Sequence, residues 1–68
     1  MYVRPNFRTK KELKLAIEVG APVEVYDHLG RESPPTDGVV YLEGPHYPKP
    51  HTWYAEGTMV NGKLRKVR

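Results

Sequence analysis

Asn61-Gly62 constrains this chain more than any other pair of residues in it. A two-residue hairpin turn needs positive φ at both central positions, which Asn-Gly supplies at low cost, and the flanking residues must then pair as antiparallel strands. In that register Val60 pairs with Lys63, Met59 with Leu64, Thr58 with Arg65 and Glu56 with Val67. Side chains alternate across a strand. His51, Trp53, Ala55, Gly57, Met59 and Leu64 therefore share one face, while Tyr54, Glu56, Thr58, Val60, Lys63, Arg65 and Val67 share the other. Trp53, Met59 and Leu64 mark the first as the core face. Gly57 in mid-strand implies a bulge or a tight contact with the helix or a neighbouring loop.

Upstream the period is helical. Thr9-Lys10-Lys11-Glu12 fits a capping box, with hydroxyl and carboxylate each closing one orphan backbone N–H. Leu13, Ala16 and Ile17 then fall on one side, with Leu15 and Val19 beside them and Lys10, Lys11, Lys14 and Glu18 opposite. Gly20 stands at the left-handed C′ position and Ala21-Pro22 forbids continuation, so the helix covers about residues 10–19. Beyond Pro22 the period becomes 2. Val23 to Asp27 reads as a strand with Val23, Val25 or Tyr26 inward, Gly38 to Glu43 as a second, and His51 to Val60 as a third that the Asn-Gly turn returns. His28 to Asp37 has loop composition. Pro45, Pro48 and Pro50 exclude a central strand and predict an extended excursion that projects outward. The expected fold is α+β, an N-terminal helix on an antiparallel sheet of about four strands that could curl toward a small open barrel.

Size limits what such a fold can carry. With 68 residues, 38% of them hydrophobic, the chain is read as one domain, 1–68. A core of this size rarely supplies more than roughly 3–5 kcal/mol. There is no cysteine, hence no disulfide framework and no thiolate zinc site. No apolar run approaches the roughly 18 residues of a membrane span, and no apolar leader follows Met1, so a cytoplasmic protein without a membrane partner is expected. Charge is unevenly placed: residues 1–14 and 61–68 each carry +4, and residues 15–60 carry −5. Basic ends around an acidic middle point to an anionic partner near the termini, to pairing between subunits, or simply to a solvated surface.

From Glu43 to Ala55 the chain reads Glu-Gly-Pro-His-Tyr-Pro-Lys-Pro-His-Thr-Trp-Tyr-Ala. This run resembles a motif of small phage- and prophage-encoded proteins of unknown function. In those a Lys-rich helix opens the chain, a Gly-Val strand precedes Glu-Gly-Pro-His-Tyr-Pro, and Pro-His-x-Trp-Tyr-Ala follows. The likeness takes in Thr9 to Val19, Pro22 to Tyr26 and Gly38 to Val67. It implies a phage origin, hence the cytoplasm of a bacterial host, and supplies no catalytic residue.

His46, Tyr47, Lys49, His51, Trp53 and Tyr54 form the first candidate site. Three prolines stiffen a segment crowded with rings, and rigid aromatics offer contact area at little further ordering cost. The expected partner is a protein of host or phage. The bland alternative is a connector whose Tyr47 folds back over the core beside Trp53. The second candidate is a nucleic-acid or anion surface of Lys10, Lys11, Lys14, Lys63, Arg65, Lys66 and Arg68, with Tyr41, Tyr54 or Trp53 stacking on bases if the sheet face is open. Glu43 and Glu56 oppose it, and the aromatic-basic signatures of common RNA modules are absent. A small-anion sponge assembled between subunits is a third reading. His46 and His51 lack a set third ligand, so no metal and no cofactor are expected. No nucleophile–base pattern can be named and Ser33 is the only serine, so no enzyme is expected.

Overall fold

A computed structural model describes all 68 residues and confirms the capping box at the first helix, α1 (Lys10–Glu18). The Thr9 hydroxyl accepts from the Glu12 N–H at 3.1 Å, and the Glu12 carboxylate accepts from the backbone N–H of Thr9 at 3.2 Å and of Arg8 at 2.9 Å. At the other end Gly20 takes φ +75°, its N–H donates to Ile17 and the Ala21 N–H donates to Ala16, the paired bonds of a Schellman motif. The buried stripe is narrower than the sequence implies. Leu13 is buried and Ala16 and Ile17 half-buried, but Leu15 and Val19 stand in solvent. The cause is placement: α1 lies mainly on one edge strand, which covers a single stripe of it.

That edge belongs to a three-stranded antiparallel sheet, β3 (Gly38–Gly44), β4 (Trp53–Val60) and β5 (Lys63–Val67), in the order β3-β4-β5. A separate antiparallel pair joins β1 (Tyr2–Arg4) to β2 (Glu24–Tyr26), with Val3 opposite Val25. The fold is α+β, with five strands in two sheets in place of about four in one. β1 gave no signal because three residues ended by Pro5 are too few to show a period. The backbone N–H of Glu43 donates to the Met1 carbonyl at 2.9 Å, tying the start of β1 to the edge of β3. β2 approaches β5 without a ladder, so the sheets do not close into a barrel. β4 starts at Trp53, not His51, because His51 adopts φ +62° and ends the preceding loop.

Asn61 and Gly62 take φ +51° and +77°, and Val60–Lys63 and Met59–Leu64 pair as expected. The turn is pinned from outside: the Asn61 N–H donates to the Asp37 carboxylate at 3.0 Å and the Gly62 N–H to the Thr36 carbonyl at 2.8 Å. Past Leu64 the register departs from a regular hairpin. Thr58 pairs with Lys66 and Gly57 with Val67, leaving Arg65 as the extra residue of a bulge. The expected pairs Thr58–Arg65 and Glu56–Val67 do not form. Val67 turns inward and is buried, while Lys66 turns outward.

Val40, Leu42, Trp53, Ala55, Met59, Leu64 and Val67 form the core face of the sheet, closed by Leu13, Val3 and Val25. Gly57 lets this layer close. A Cβ there would lie 2.6 Å from Leu64 Cδ1 and 3.2 Å from Leu42 Cδ1, so the contact is with neighbouring strands rather than with the helix or a loop.

Candidate functional site

The proline-rich loop between β3 and β4 is clamped by Asn6. Its Oδ1 accepts from the His46 N–H at 2.7 Å and its Nδ2 donates to the Tyr47 carbonyl at 2.8 Å, while the His51 N–H donates to the Pro45 carbonyl at 3.1 Å. The excursion projects outward only in part. Pro45 is buried and His46 half-buried, and the exposed stretch runs from Tyr47 to Thr52.

His46 stacks on Tyr2 at 4.4 Å between centroids, with the His28 ring edge-on to it at 4.4 Å. The Tyr2 hydroxyl shares a hydrogen bond with His51 Nε2, and the Tyr26 hydroxyl lies 3.4 Å from His46 Nδ1. Burial, with the Glu43 carboxylate next in weight, holds the Tyr2 phenol above its ordinary value of 10.0. The His51 ring continues the series toward Tyr54 at 6.3 Å. The histidines are thus partly structural: they lash the loop to β1. Tyr2 and His28 were missing from the sequence-derived set because only the pairing of β1 with β2 brings them under the loop.

The six residues of the first candidate site therefore divide. Trp53 faces the core, where it is buried, and its indole N–H donates to the Phe7 carbonyl at 3.1 Å. His46 is half-buried in the ring stack. Tyr47, Lys49, His51 and Tyr54 remain exposed. Tyr47 does not fold back over the core; it is 65% exposed.

The basic residues converge. Lys10, Lys11 and Lys14 of α1 and Arg65 and Lys66 of β5 line one groove of about 620 Å³, floored by Leu15, Ile17 and Val67, with Glu18 as its one acid. Arg65 also lines a neighbouring groove of about 620 Å³ with Lys63 and Arg4, where Arg4 is bonded to Glu24 at 2.7 Å. Lys10 reaches on to a shallower hollow of about 430 Å³ shared with Arg68, Tyr41, Tyr54 and Glu56. Each of the seven cations thus borders one of three hollows, the first two sharing Arg65 as a wall and the first and third sharing Lys10.

No group of three or more His, Cys, Asp or Glu is placed to hold a metal ion, and no helix is long and apolar enough to cross a membrane. Compared with protein-family models, with curated proteins and with solved structures, the chain matches none.

Proposed function

We propose that this protein binds nucleic acid through its phosphates, held in the groove between α1 and β5. One observation carries the reading: the basic segments at opposite ends of the chain line the same groove, which has an apolar floor and one acid. Solvated charges repel and spread unless packing forces them together, and five cations around one hollow concentrate positive potential where a phosphate chain can lie. A single strand contacting all five would show a log K versus log salt slope of roughly −3.5. Fluorescence anisotropy of a labelled oligonucleotide at rising salt tests this. Lys14→Ala/Lys66→Ala should flatten the slope by about 1.4, and absence of binding at roughly 50 mM salt removes the reading.

A second reading rests on the Asn6 clamp. It presents Tyr47, Lys49 and His51 on a stiff loop, an economical surface for a protein partner, which the phage-type motif would place in a bacterial host. Co-purification from bacterial lysate with wild type and with Tyr47→Ala/Lys49→Ala tests it. An identical set of captured proteins counts against it.

A further inference from the structure

The outer face of the β3-β4-β5 sheet is covered by nothing. Tyr41 is 71% and Tyr54 62% exposed, values far beyond what a ring fully in the service of the core would show. The register sets Tyr41 opposite Glu56 and Tyr54 opposite Glu43, so the two tyrosines are diagonal neighbours on one face, about 7–8 Å apart. The exposed His51 ring follows Tyr54 at 6.3 Å. Tyr41 and Tyr54 line the hollow that Lys10 and Arg68 also line, and Lys10 is also a wall of the basic groove.

We infer that Tyr41 and Tyr54 form a base-stacking platform, so that the nucleic acid taken by the groove is single-stranded. The inference rests on the groove reading and specifies its ligand. A duplex buries its base faces and offers only phosphates and edges, whereas an unpaired strand can lay its backbone along the cations and its bases on the adjoining rings. The two acids that flank the rings are each compensated. Glu56 lies 3.7 Å from Arg68 and Glu43 3.8 Å from the amino group of Met1, so neither stands as a free negative charge beneath the bases. An exposed tyrosine pair beside a basic groove is complementary to a polyanion that carries flat rings, and less so to an acidic peptide, which has charge without rings.

The test uses three labelled probes roughly 12 nucleotides long: an oligothymidylate, a duplex, and a strand of the same length with abasic sites. The intact single strand should bind best, and the abasic strand should lose the affinity that stacking provides. Tyr41→Ser/Tyr54→Ser should weaken single-strand binding by roughly 5- to 100-fold for each tyrosine and leave duplex binding and the salt slope unchanged. Tyr41→Phe/Tyr54→Phe keeps the rings and should keep the affinity. Equal binding of intact and abasic strands by the unaltered protein overturns the inference whatever the variants do. A serine double variant that binds like wild type, or that weakens duplex and single strand alike, also overturns it. Those outcomes leave the groove reading in place. No binding of any probe at low salt sinks the groove reading and the platform with it.

Discussion

Gly44→Ala tests how tightly the core is built around its one tryptophan. A Cβ at Gly44 would lie 2.7 Å from Trp53 Cε2 and closer still to Cζ2, inside the contact distance that real methyl groups keep. The indole cannot yield as the tip of a leucine would. It is a rigid ring, buried on the core face, and its N–H is committed to the Phe7 carbonyl at 3.1 Å. Displacement costs about 1–3 kcal/mol as overpacking and, if the bond to Phe7 is lost, about 0.5–1.5 kcal/mol more, so roughly 2–4 kcal/mol in all. Set against roughly 3–5 kcal/mol for a domain of this size, the loss is most of the total. Urea unfolding followed by the fluorescence of Trp53, the only tryptophan, reads it directly. With a slope near 1 kcal/mol/M the midpoint should fall by about 2–4 M. A Trp53→Phe background shrinks the ring, so Gly44→Ala should cost less there, with a coupling of at least about 1 kcal/mol when all four proteins of the cycle are followed by circular dichroism, which does not need the indole. A midpoint unchanged to within about 0.5 M, or additive effects in the double variant, would show that the indole is free to move and refute the reasoning.

Two further outcomes follow from the register and the loops. The bulge predicts that Val67→Ser costs about 1–3 kcal/mol, because Val67 is buried, whereas Arg65→Ser stays within about 0.5 kcal/mol; chemical denaturation should show both within about 0.5 kcal/mol if the hairpin is regular, since both side chains would then face outward. Asp27 accepts from the N–H groups of Leu29 at 3.2 Å, Glu32 at 3.0 Å and Arg31 at 2.9 Å, which together hold its carboxyl below the ordinary value of 3.8. A group depressed in the folded state adds stability above its unfolded value and loses it as pH falls through the folded one. Acid unfolding below pH 3.8, followed by circular dichroism, should therefore be less steep in Asp27→Asn, and a superimposable curve rejects the link.

Local rules made the helix legible, since a capping box and a C′ glycine act within a few residues of where they are written. The Asn-Gly turn was legible for the same reason. β1 was not, because its stability comes from Val25 and Glu43, distant in the chain. The loop was legible as stiff but not as anchored, since Asn6 and Tyr2 reach it only through that strand pairing. What remained hidden was long-range in each case.

The bulge at Arg65 links the fold to its proposed use. In a regular hairpin Lys63, Arg65 and Val67 would point outward, and Lys66 and Arg68 would point toward the core, where two unpaired cations could not remain. One extra residue reverses that outcome past Leu64. Val67 enters the core and becomes part of the groove floor, Lys66 turns outward and lines the groove that α1 also lines, and Arg68 reaches Glu56 beside the exposed tyrosines. The same displacement therefore satisfies the hydrophobic requirement of the sheet and gathers the cations of the C-terminal segment against those of the helix. Charge counting alone finds two basic ends. Only the burial of Val67 decides that they meet.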